Sequence, residues 1–189
     1  MSNDDLIIAT TRNWIEQAVI GLNLCPFAKS VYVKNQIRYV VSPAQDTGRL
    51  RDDLERELQA LHAADPAQTD TTLLIHPQVL ADFLDYNDFL AEADDVVDAL
   101  GLRGEIQIAS FHPEYRFADA GVDDIENFTN RSPYPILHLL RESSIERAVA
   151  AFPEADVIYE KNMETLRRLG RAGWDRLLQA GDIAGRHDG

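Results

Sequence analysis

What this chain lacks narrows it first. It has one cysteine, Cys25, so no intrachain disulfide can form, and neither a C-x-x-C redox pair nor a C-x-x-C-H haem attachment motif exists. Its 18 Lys and Arg residues stand against 32 Asp and Glu, a formal net charge of −14. A field of that sign repels nucleic acid and anionic lipid surfaces, so neither is an expected partner. No apolar run reaches the roughly eighteen residues that a bilayer span needs, and the opening MSNDDLIIATTRNW carries acidic residues where a leader peptide would be basic. A cytoplasmic location is the expectation.

Motif absences exclude more. There is no G-x-x-x-x-G-K-[ST], no G-x-G-x-x-G and no G-x-S-x-G, so Walker-type nucleotide hydrolysis, dinucleotide binding and the α/β-hydrolase elbow lose their sequence support. No H-E-x-x-H or other strong metal spacing occurs, and no metal is expected unless His76, His112, His138 and Glu142 converge in space. The acidic stretch Asp119, Asp123, Asp124 and Glu126 fails the EF-hand pattern and reads as a solvated loop tip.

What is present suits one α/β domain. The 189 residues are 45% hydrophobic, with no linker-like composition break, so residues 1–189 read as a single domain with a frayed tail over 181–189. An amphipathic helix is expected from Asp4 to Gly21, then a strand ending IRYVVSP, a helix carrying Leu50, Leu54, Leu58 and Leu61, a strand TTLLIHP, a helix over Gln78 to Leu100 and a strand EIQIASFHP. Helices follow over Pro135 to Phe152, Asp156 to Leu169 and Trp174 to Ala180. The expected architecture is a small, mostly parallel three-stranded sheet, with room for an extra edge strand, packed by five to six helices.

Three junctions share one pattern: Val41-Ser42-Pro43, Ile75-His76-Pro77 and Phe111-His112-Pro113. Proline ends a strand without breaking a ladder bond. If the intervening helices are crossovers, Ser42, His76 and His112 emerge at one carboxyl edge, where open α/β sheets place ligands.

The third junction opens a long irregular stretch. From Phe111 to Glu142 the chain combines buryable aromatics with polar groups, and structureless loops of that length inside compact domains are usually functional or disordered. In a helix from Pro135, His138 and Glu142 share the side of Ile145 and Val149, with Arg141 close by, so the buried face turns polar where it meets the loop. His112 and His138, the latter oriented by Glu142, are candidate acid–base residues, each with a purely structural alternative. Arg131 and Arg141 are candidate anion clamps, Arg116 a further one, and Tyr115, Asn130 and Tyr134 candidate pocket groups. Cys25 is either a nucleophile or a small buried hydrophobe.

The segments TRNWIEQAVIGLNLCPFAK, FHPEYRF, NFTNRSPYPILHLLRE and YEKNMETLRRLG resemble a bacterial domain-of-unknown-function family, number 1415. The resemblance covers nearly the whole chain and implies one complete domain without implying a reaction or cofactor. From the residues, the leading expectation is an enzyme doing histidine acid–base chemistry on a small anionic metabolite. The alternatives are a non-catalytic ligand- or protein-binding domain and a His/Glu metal-dependent enzyme.

Overall fold

The computed structural model describes residues 2–151 and 157–184, with side chains described through residue 178. Helix α1 (Asn3–Trp14) opens on a capping box in which the Ser2 hydroxyl accepts from the Asp5 amide and the Asp5 carboxylate accepts from the Ser2 amide. It continues as a π-helical segment, Ile15–Ile20, that stops at Gly21. A Cβ at Gly21 would lie 2.3 Å from the Gln17 carbonyl oxygen, so the chain needs glycine there to turn away. Short α2 (Ala28–Val33) leads into β1 (Ile37–Val41).

Two crossovers follow, as the sequence predicts. Helix α3 (Thr47–Ala63), capped by Asp46, joins β1 to β2 (Thr71–Ile75), and α4 (Phe83–Ala99), capped by Asp82, joins β2 to β3 (Ile106–Phe111). The stretch expected as helix from Gln78 starts only at Phe83, because Leu80 adopts a φ of 60° and breaks the helical path. Beyond β3 come a 3₁₀ turn (Ile125–Thr129), β4 (Ile136–Arg141), α5 (Glu142–Ala151) and α6 (Ile158–Ala184). Gly170, at φ 66° and ψ 172°, interrupts α6 at the break the sequence places between its last two helices. Residues 181–184 continue α6, while the rest of the expected frayed tail, 185–189, lies outside the described residues, as do Phe152 and Asp156.

The sheet differs from the expected three mostly parallel strands. It has four, in the order β1-β2-β4-β3; β1 pairs parallel with β2, and β4 pairs antiparallel with both β2 and β3. The fourth strand is interior, not an edge, and is built from residues expected to be helical. An apolar run as short as Ile136 to Leu140 fits either period. The slot decides: β2 and β3 run in the same direction with a gap between them, and only an extended segment can satisfy the backbone groups facing that gap. Burial on both faces, with Ile136, Leu137 and Leu139 inaccessible, is what an interior strand requires.

Each sheet face has its own core. On one, α3 and α4 pack Leu50, Leu54, Leu58, Leu61, Tyr86 and Phe89 against Leu74, Leu137, Leu139 and Ile106. Each fully buried leucine contributes about 1.5–3 kcal/mol. On the other, Ile7, Trp14, Ile15, Phe128, Leu166 and Trp174, from α1, the π segment, the 3₁₀ turn and α6, cover Leu73, Ile75 and Ile136. That cover is partial. No helix among the described residues is long and apolar enough to cross a membrane.

Candidate functional site

The strand-end residues do share an edge, since Val41 pairs with Ile75, and Ile136 pairs with both Ile75 and Phe111. They do not frame a cleft. His76 and His112 are fully buried. His76 directs Nδ1 to the Val79 carbonyl at 3.0 Å, and His112 directs Nε2 to the Leu80 carbonyl at 3.0 Å while its Nδ1 accepts from the Glu114 amide at 3.0 Å. Both imidazoles therefore tie down the turn in which Leu80 holds its left-handed backbone. Burial pushes the His76 pKa down to about 4 and moves that of His112 in the same direction. Tyr86, stacked on His76, donates to the Ile136 carbonyl at 2.7 Å and accepts from the Phe111 amide, which joins the two strands flanking this edge. Ser42 is likewise occupied, donating to Asp53 at 2.5 Å and accepting from the Ala44 amide.

The long loop spends its polar side chains on its own backbone. Asn127, fully buried, accepts from Phe117 N and donates to Gly121 O, and Asn130 donates to Ser110 O at 3.0 Å. Arg131 lies over the Phe128 ring and donates to the Tyr115 and Val122 carbonyls. It also borders a small cleft of about 190 Å³ with Arg171, and its burial, with the Arg171 charge as a smaller cause, lowers the Arg131 pKa. Tyr115 packs between Phe83 and Phe117, Tyr134 joins the core beside α1 and α6, and Arg116 is exposed.

Arg141 and Glu142 also have other work. The Arg141 guanidinium donates to the Leu61 and Ala64 carbonyls at the end of α3, where helical carbonyls lack partners, and to the Thr69 carbonyl ahead of β2. Glu142 is the first residue of α5, and its amide donates to the Glu105 carbonyl at 2.9 Å. Because His138 sits in a strand and Glu142 in the following helix, the expected same-face His138–Glu142 pair does not exist.

The concave feature lies elsewhere, on the incompletely covered sheet face. A cavity of about 710 Å³ rests on Ile37, Thr71, Leu73, His138, Leu140, Gln107, Ala109 and Phe111. They point to one side of the sheet and reach from the first residues of β1 and β2, Ile37 and Thr71, to Phe111 at the end of β3. The walls come from Trp14, Ile15 and Val19, from Cys25 and Phe27, from α2 and from α5. Helix α5 buries no residue, so Ile145 and Ala148 face open space. Exposed Lys34 and Arg147 mark the mouth; Arg147 donates to Ser144, which donates to Asp70 at 2.6 Å.

Of the sequence candidates, His138 and Cys25 reach this cavity; His112, Glu142, Arg116, Arg131, Arg141, Tyr115, Asn130, Tyr134, His76 and Ser42 do not line it. Sequence reasoning missed Lys34, Thr71, Gln107 and Arg147. The available signal was the alternation in β3, where Gln107 and small Ala109 interrupt an otherwise apolar side.

His138 is the best-defined polar group in the cavity. The Thr71 hydroxyl lies 2.7 Å from His138 Nε2 and donates its only proton to the Leu139 carbonyl at 2.6 Å. Thr71 must then accept from His138, which fixes the Nε2–H tautomer and leaves Nδ1 with its lone pair free. Nδ1 has no hydrogen-bond partner among the described residues. Deep placement in the protein pushes the pKa down to about 4, so the ring is neutral at pH 7. Burial also pushes the Cys25 thiol up, which keeps it protonated and weakly nucleophilic. Among the described residues no group of three or more His, Cys, Asp or Glu side chains is placed to hold a metal ion.

The fold and the cavity define an α/β domain with an apolar chamber on one sheet face and a neutral histidine in its floor. The chain belongs to the family described as "Protein of unknown function (DUF1415)", whose model matches residues 6–176. No curated protein and no solved structure matches the chain.

Proposed function

We propose that this protein binds a small, mostly apolar molecule in the sheet-face cavity, with His138 as the polar anchor. The observation that carries the proposal is the chamber of about 710 Å³ with mainly hydrophobic walls and one oriented imidazole, a combination typical of small-molecule sites. Lys34 and Arg147 at the mouth favour an anionic group on that molecule, in a chain otherwise strongly acidic.

A second reading, an enzyme, is favoured by the free Nδ1 of His138. A neutral imidazole with an accessible lone pair is a proton acceptor, and the Thr71–Leu139 link holds it in one tautomer. In that case His138 is the single base, and His112 and Glu142 support the fold.

The test is occupancy. 8-Anilinonaphthalene-1-sulfonate should bind the folded protein at pH 7 with a fluorescence gain that saturates at one dye per chain. Ala109→Trp, which places an indole in the chamber, should remove that signal while leaving the circular dichroism spectrum unchanged. Equal dye binding by the folded variant sinks the proposal.

A further inference from the structure

We infer that the ligand of this cavity carries a hydrogen-bond donor, a hydroxyl or amide N–H, that meets His138 Nδ1, and an acidic group at the opposite end of an apolar body. The inference rests on the cavity being a binding site and adds the polarity of what it takes. Its basis is the direction of the hydrogen-bond chain in the floor. Leu139 O can only accept, so the Thr71 proton goes there; Thr71 Oγ1 then accepts from His138 Nε2–H, and Nδ1 remains an acceptor.

An acceptor in that position discriminates by chemistry. A carboxylate placed against it would set one lone pair against another at depth, with no cation nearby to compensate. A hydroxyl or amide proton satisfies it. Phe111, with its ring centroid 6.0 Å from that of His138, together with Leu73, Leu140 and Ala109, leaves the surroundings of the imidazole apolar, so the lone pair has no competing donor in the floor except the Gln107 amide. The acidic end belongs at the mouth. Lys34 makes no ion pair among the described residues, and Arg147 is held there by Ser144. Asp70 is the carboxylate in the lining, and it already accepts from Ser144.

Three rigid probes separate these claims: 2-naphthol, its methyl ether 2-methoxynaphthalene, and 6-hydroxy-2-naphthoate, each measured by calorimetry at pH 7 with the full chain. Naphthol should bind about tenfold more tightly than the ether, the consequence of leaving a buried acceptor unpaired. His138→Phe should bring that ratio close to one while still binding the ether. The naphthoate should exceed naphthol several-fold, and a Lys34→Ala, Arg147→Ala double variant should cancel that gain. In the wild-type protein, ¹⁵N-histidine spectra should show His138 as the neutral Nε2–H tautomer, with the Nδ1 resonance moving on naphthol addition and not on ether addition. This readout stands even if His138→Phe does not fold.

Equal affinity for naphthol and ether, both abolished by Ala109→Trp, overturns the donor assignment and leaves the cavity as a binding site. A naphthoate that binds no better than naphthol overturns the acidic end. Failure of every probe, and of the fluorescent dye, to bind overturns the site itself.

Discussion

Acid should weaken this fold through its buried histidines, and the size of the effect follows from the structure. His138 and His76 each have a pKa lowered from 6.5 to about 4 by burial. In the unfolded chain both return to the ordinary value. Between those two pH values the unfolded state binds protons that the folded state refuses, so stability falls as pH falls. At about 1.4 kcal/mol per pH unit, each histidine costs roughly 2 kcal/mol between pH 7 and pH 5, and roughly 3 kcal/mol by pH 4. Urea unfolding at pH 7, 6 and 5 reads this directly. Protonation of carboxylates over the same range changes the self-repulsion of a chain with a net charge of −14, so the informative quantity is the difference between wild type and His138→Phe. That variant should lose about 2 kcal/mol less than wild type between pH 7 and pH 5. An identical loss in the two proteins would mean that His138 is protonated in the folded state, and the account of a neutral imidazole in the cavity floor would fail with it.

Three further outcomes follow from the same contacts. Arg141→Ala removes the donors to two carbonyls at the end of α3 and to that of Thr69 ahead of β2, and should cost about 2–3 kcal/mol in urea unfolding, with no change in dye binding. His112→Ala frees the Leu80 carbonyl and the Glu114 amide together, and should lower stability by about 3 kcal/mol while leaving ligand affinity within twofold; a large loss of affinity at unchanged stability would restore His112 as a site residue. Cys25, the only thiol, lines the cavity with its pKa raised, so iodoacetamide should label it slowly at pH 8, and saturating dye should slow it further; mass spectrometry that finds no protection would remove Cys25 from the chamber wall.

The parts of the fold that were legible are those whose local signal agrees with their tertiary role. IRYVV, TTLLI and IQIASF have strand-forming sequences ended by a polar residue and proline, and the leucines of α3 repeat at helical steps against a wide core. Both cues are local. β4 was not legible, because ILHLLR has no period that separates strand from helix, and its state is set by β2 and β3, which lie far away in sequence. A helical reading of that one segment also puts His138 on the wrong side relative to Glu142 and Arg141. The polar composition of the loop is legible, yet its side chains hydrogen-bond inward to their own carbonyls and amides, and composition alone cannot tell an inward bond from an outward one.

The long segment between β3 and β4 is better understood as the cause of the cavity than as its wall. β3 leaves the sheet at the edge of His76 and His112, and the chain must come back into the gap beside it, so the loop reverses direction and β4 enters antiparallel. β4 then runs toward the opposite edge and ends at Arg141, tied to the end of α3, and α5 starts immediately with its Glu142 amide held by Glu105. This fixes α5 beside the amino-terminal half of β1 to β3, while α1, the π segment and α6 cover the half nearer the loop. Between them the cavity rests on Thr71, His138 and Gln107. A parallel fourth strand would have ended at the other edge and delivered α5 to the loop side. The reversal that the loop provides is therefore what leaves a polar strand residue, His138, at the bottom of an apolar chamber.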